Sequence, residues 1–338
     1  MSGSENSDPR IRLRALTGLP IPTDWAQVRD QITRGNSPWK EYGPIPATVL
    51  SKALGPSWIS DNEERSGQPC QKIVLAPVLT THLVRLVEFA VSVELLADCP
   101  GMRLVLRDLK RDPQKLPHTL LQTTVAGLAL GVRGGVAMET SEGGQGWKPD
   151  VLFDGVDGGQ IVVECFVQVV GYAASSILSG TRSRPVNEFA RIGARLVDKA
   201  RQASQRGGWL VCELDDGMFG PTSWYTEGLH GLSLVEKTTA LKRAITSSMA
   251  PVGDVHGLVV LSPPAPGAGS AKTVSPEDRV TALRRLLLGG RCRETFVLPF
   301  SDSGIREQSN WVELFDSEPT WLNWALGQLD LPDIPRGA

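Results

Sequence analysis

The chain has 338 residues, 41% hydrophobic and 21% charged, with a formal net charge of −2. That length accommodates one large or two ordinary domains, and the near-neutral charge excludes a globally basic binder while leaving room for a local basic face. Five scattered cysteines (Cys70, Cys99, Cys165, Cys212, Cys292) show no CxxC spacing, which argues against a zinc site and fits small core residues in a reducing compartment.

The N-terminus, MSGSENSDPR, is polar and lacks the apolar core of a signal peptide. The most apolar long stretch, Leu83 to Ala97, carries Arg85, Glu88 and Glu94 and is too short to span a bilayer. These features lead us to expect a cytoplasmic protein with no membrane partner.

In chain order, residues 1–10 read as a disordered tail with nothing to bury. Asp24 is placed to cap a short helix from Trp25 to Thr33. Residues 36–70 are rich in proline, glycine and tryptophan and read as irregular, with a short helix near Ala47 to Leu54. Leu83, Leu86, Val87, Ala90, Val93, Leu95 and Leu96 recur at helical spacing up to Asp98-Cys99-Pro100-Gly101. Met102 to Leu109 alternates toward a strand. A helix follows at about Pro117 to Val132, so short of charge that both of its sides are expected to be partly buried. Val136 to Thr140 reads as a strand, followed by a glycine-rich loop, Glu142 to Gly146.

The stretch from Gly146 to Gln168 reads as a hairpin turning at Asp157-Gly158-Gly159, because such dipeptides supply the positive φ of tight turns. Asp150 opens its first strand and Glu164 lies in its second. Pairing about a two-residue turn sets Glu164 opposite about Val151, so the two carboxylates can converge at one end. Asn187 is placed to cap a helix from Glu188 to Gln205, and Trp209 to Leu214 is a short apolar strand. The last third continues in α/β style. Helices are expected over about 232–249 and, after Ser275-Pro276-Glu277-Asp278, to Leu288. Strands are expected at Gly257 to Leu261 and Thr295 to Phe300, and a C-terminal helix from Trp311 to Leu329. The division is then a tail and irregular or helical segment (1–70), an α/β core with a preceding helix (71–215), and a C-terminal α/β extension packed on it (216–338).

Two converging carboxylates within apolar strands are electrostatically unfavourable without a cation. Magnesium is commonly held by one or two carboxylates plus water and substrate phosphate. A structural alternative is that Asp150 merely ends a strand and Glu164 pairs with a buried arginine. The segment from Arg182 to Arg206 is strongly basic, with Arg182, Arg184, Arg191, Arg195, Lys199, Arg201 and Arg206 against only Glu188 and Asp198. It can serve as a phosphate-tracking face or as an ordinary solvated helix face. Arg195, Lys199 and Gln202 lie at helical spacing. The four histidines are dispersed with no metal-ligand spacing; His118 can approach the acidic pair or cap its helix. There is no Walker or dinucleotide fingerprint and no GxSxG elbow.

The order of helix, three strands, helix and strand over about residues 117–214, with Lys148-Pro149-Asp150 and Glu164-Cys165-Phe166, resembles the PD-(D/E)xK phosphodiesterase superfamily. The resemblance implies a restriction endonuclease-like core, a mixed sheet flanked by helices, carrying N- and C-terminal α/β additions. It also implies a metal-dependent nuclease acting on DNA or RNA, with Asp150 and Glu164 as ligands of Mg²⁺ or Mn²⁺. Phe166 departs from the pattern, since it stands where the family places a lysine. Lys199 is the candidate for a migrated cation, supported by Gln202, and Arg182, Arg184, Arg191 and Arg195 are candidates for holding nucleic acid. The alternative is a catalytically degenerate fold of the same type, acting as a nucleic-acid-binding or protein-interaction module. No feature specifies a protein partner or a homo-oligomer.

Overall fold

Asp24 begins the first helix as its sequence position suggests: its Oδ1 accepts a hydrogen bond from the Gln27 N–H at 2.7 Å, satisfying a donor that the first turn leaves open. The computed structural model to which this bond belongs describes residues 22–34, 44–66, 80–139, 148–169, 199–200, 202–203, 207–215, 254–261 and 295–317. Helices α1 (Trp25–Arg34), α2 (Pro44–Leu54) and α3 (Trp58–Ser66) precede α4 (Thr80–Leu95), α5 (Met102–Arg111) and α6 (Leu116–Val132). A helix over Trp58–Ser66 was not expected from the sequence. Trp25 and Trp58 stack at 6.2 Å between ring centroids, and the Trp25 indole N–H donates to the Gly55 carbonyl, which ties α1 to the α2–α3 turn.

The expectation of a strand at Met102 to Leu109 is wrong. The apolar alternation of Met102, Leu104 and Leu106 is incidental to a helical stripe, Met102, Val105 and Leu109, all buried. That spacing of three and four residues is the helical period. Helix α6 is buried on most of its circumference, Thr119, Gln122, Thr123 and Thr124 included, as its lack of charge suggests.

Among the described residues, six strands form one mixed sheet in the order β1-β2-β3-β4-β5-β6: β1 (Ala137–Met138), β2 (Val151–Asp154), β3 (Gln160–Val169), β4 (Gly208–Asp215), β5 (Val255–Leu261) and β6 (Thr295–Pro299). Pairing is antiparallel from β1 to β3, parallel from β3 to β5 and antiparallel from β5 to β6. The sequence-based turn was too short. The chain reverses over residues 155–159, where the Gly155 N–H donates to the Gly159 carbonyl at 2.7 Å and the Gly158 N–H to the Gly155 carbonyl at 3.1 Å. Val151 therefore pairs with Val163, and the ladder carried one residue further sets Asp150, not Val151, opposite Glu164. In a sheet, a one-residue change of register changes which side chains share a face.

Both faces of the sheet are covered. Val151, Phe153, Ile161, Val163, Cys165, Trp209, Val211, Val259 and Leu261 belong to one core with α4, α6 and the last described helix, α7 (Asp302–Asp316). The alternate positions Leu152, Glu164, Phe166, Leu210, Cys212, Leu258 and Val260 face the other way and are also buried. Parallel central strands buried on both faces are the α/β arrangement. Among the described residues one hydrophobic cluster takes in positions from Trp25 to Phe315, and β5 and β6 are strands of the same sheet as the hairpin.

Helix α7 begins at Asp302, well before the expected Trp311. Its start is fixed by Ser301, whose hydroxyl accepts from the Gly304 N–H at 3.1 Å. Trp311 packs against Phe153 edge-on and against Trp209, with both pairs of ring centroids 5.6 Å apart. Glu307 Oε2 accepts from the Trp209 indole N–H at 2.7 Å and lies 2.8 Å from His256 Nδ1. The helices expected over 232–249 and 276–288, and residues 318–329 of the C-terminal helix, lie outside the described residues. So does the 188–205 helix, apart from Lys199, Ala200, Gln202 and Ala203, which are helical. Among the described residues no helix is long and apolar enough to cross a membrane.

Candidate functional site

Four separate pieces of chain converge where β2 begins. Asp150 immediately precedes β2, Glu164 lies within β3, His118 and Gln122 lie on α6, and Lys199 comes from the helical residues before β4. The Lys199 ammonium donates to Glu164 Oε2 at 2.8 Å and to Asp150 Oδ2 at 3.2 Å. Asp150 Oδ2 also accepts the Cys165 backbone N–H at 2.7 Å. On the other side of the same carboxylate, His118 Nε2 lies 3.2 Å from Oδ1. The Gln122 amide donates to the Asp150 carbonyl oxygen at 2.8 Å.

These contacts set the electrostatics. Both carboxylates are buried, Glu164 at 1% exposure, and burial by itself opposes ionisation. For Asp150 that opposition is overruled by the charge and hydrogen bond of His118, the Lys199 ammonium and the Cys165 N–H, which hold its carboxyl below the usual range. Glu164 is pushed the other way, up to about 7, by burial and by the neighbouring Asp150 charge, against the pull of Lys199. Burial works against the charge on Lys199, but Asp150 and Glu164 together raise its pKa above the ordinary value. Two adjacent acids whose environments drive them apart are a recurrent feature of reactive sites. One acceptor of the pair is left over: Glu164 Oε1 is buried and has no hydrogen-bond partner among the described residues.

That orphaned acceptor, beside a second carboxylate, suits a hard cation. Among the described residues no cluster of three or more His, Cys, Asp or Glu side chains forms a metal cage. An ion here would therefore draw on the two carboxylates and on water, as magnesium does. Asp150, Glu164 and Lys199, all singled out from sequence, are brought together. Gln202 is exposed, and no described hydrogen bond joins it to the cluster. Arg182, Arg184, Arg191 and Arg195 lie outside the described residues. Phe166 is buried two residues beyond Glu164 on the same face.

Two residues in this shell were undervalued or missed. His118 does not cap its helix, whose N-cap is Lys115; it addresses Asp150. Gln122 was not singled out at all. The available signal was their spacing, four apart on a helix without Asp, Glu, Lys or Arg, which puts both on one face. Comparison with known proteins found no match to this chain among family models, curated proteins or solved structures.

Proposed function

We propose that this protein is a metal-dependent phosphodiesterase of nuclease type, built on a restriction endonuclease-like core of the PD-(D/E)xK kind. The observation that carries the reading is the convergence of Asp150 and Glu164 on the Lys199 ammonium. The order of α6, β1 to β3, the helical residues before β4, and β4 supports it. Asp150 and Glu164 would hold Mg²⁺ or Mn²⁺, which when bound supplies a Lewis acid and lowers the pKa of a coordinated water. His118 and Gln122 fix the orientation of Asp150, one through the carboxylate and one through the main chain. Lys199 takes the place of the family lysine displaced by Phe166, offering an ammonium that offsets charge on a phosphodiester.

A second reading is a fold of the same type that binds nucleic acid or a protein without cleaving it. The buried Phe166 favours it. The two readings separate in one assay: cleavage of single- and double-stranded DNA and RNA with and without Mg²⁺ or Mn²⁺, compared with Asp150→Ala and Glu164→Ala. The nuclease reading expects metal-dependent cleavage that both substitutions abolish. Binding without cleavage under every metal condition supports the module, and cleavage indifferent to both substitutions removes the site from consideration.

A further inference from the structure

The structure points to a further role for Lys199: we propose that it is a tethered counter-cation that holds the shared edge of the acidic pair and is displaced when a divalent ion binds. The inference rests on the metal-binding reading of the site and concerns how that site is loaded.

The oxygen inventory carries it. Asp150 Oδ1 faces His118, and Oδ2 is taken by the Cys165 N–H and Lys199. Glu164 Oε2 is taken by Lys199, and of the four oxygens only Glu164 Oε1 is without a partner among the described residues. Asp150 and Glu164 together would hold an ion, and the ammonium already occupies one oxygen of each. An ion entering at Oε1 alone has a single carboxylate oxygen. Two cations sharing buried oxygens repel strongly where water is scarce. Lys199 can yield: its side chain is 25% exposed, and it ends a flexible four-carbon stem. Asp150 does not swing away with it, because the Cys165 N–H, His118 and the Gln122 amide still hold it. Metal loading therefore frees an amine at the rim of the site, where a substrate phosphate can meet it.

The test is calorimetric binding of Mn²⁺ to the full chain, wild type against Lys199→Met. Losing two charge-assisted hydrogen bonds that the ion must otherwise break is expected to tighten Mn²⁺ binding about 10-fold or more. Equal or weaker binding by the variant, with clear binding by the wild type, overturns the displacement while leaving the metal site standing. Absence of binding to both removes the metal reading and this inference with it. A second measurement needs only the wild-type protein: the rate at which an amine-acylating reagent modifies Lys199, followed by mass spectrometry. The expected result is a several-fold rise on saturation with Mn²⁺ and no change at the exposed Lys110. A rate at Lys199 that is unchanged or falls overturns displacement.

Discussion

Glu164→Gln removes one charge from the acidic pair with almost no change of shape, and its effect on stability has a definite pH signature. In the folded chain Glu164 holds its proton up to about pH 7, against an ordinary value of 4.5, because it is buried beside Asp150. The folded state therefore binds the proton more tightly than the unfolded state, and stability falls as pH rises from the unfolded to the folded value. At about 1.4 kcal/mol for each tenfold change in proton affinity, the loss between pH 5 and pH 8 is roughly 2–3 kcal/mol. The opposite contribution of Asp150, whose carboxyl is held below the usual range, is lost only in more acidic solution. Glutamine does not titrate, so the stability difference between wild type and Glu164→Gln should shift by that 2–3 kcal/mol across the window, with the wild type losing ground as pH rises. Urea denaturation at pH 5, 6, 7 and 8 in the presence of a chelator measures it. The histidines titrate in the same range but are common to both proteins, so the difference isolates Glu164. Parallel stability curves for the two proteins would refute the assignment of that proton to Glu164.

Helix α7 offers two simpler tests. Glu307→Ala strips the acceptor shared by the Trp209 indole and His256. Leaving a buried indole N–H unpaired is expected to cost about 2–3 kcal/mol in a denaturant titration, with partial recovery in Glu307→Gln. At Gly304 an added Cβ would lie 1.8 Å from the His256 carbonyl oxygen. Gly304→Ala must therefore push α7 off β5 and is expected to lower stability by about 3 kcal/mol or more, read as a fall in the thermal midpoint.

What the sequence disclosed depended on how local the deciding interaction was. The Asp24 cap, the apolar α6 and the paired extended runs around Asp157-Gly158-Gly159 are each settled within a few residues, and they appear close to where they were expected. The register of β2 on β3 is not local in that sense. Asp-Gly-Gly is compatible with a two-residue turn or with the five-residue reversal at 155–159, and only the pairing of whole strands decides between them. That choice places Asp150 directly opposite Glu164. In α5, two periodicities were present at once, and burial of Met102, Val105 and Leu109 against the rest of the molecule selected the helical one. The role of His118 required knowing that the start of α6 lies beside the start of β2, 32 residues on in sequence.

The acidic pair is also a poor way to stabilise a fold, which bears on why it is there. Buried ion pairs and triads can often be replaced by apolar residues of similar volume without loss, because their mutual attraction barely offsets desolvation. Here the balance is worse than usual. One ammonium serves two carboxylates, Glu164 is left with a partnerless buried oxygen, and its proton affinity is raised rather than lowered. Yet α6 supplies two further side chains, His118 and Gln122, whose bonds hold Asp150 in this arrangement. A cluster that costs stability and is nonetheless braced from several elements is the pattern expected of a site kept for chemistry or binding rather than for folding. A cation held by the two acids would give the cluster the partner that Glu164 Oε1 lacks among the described residues.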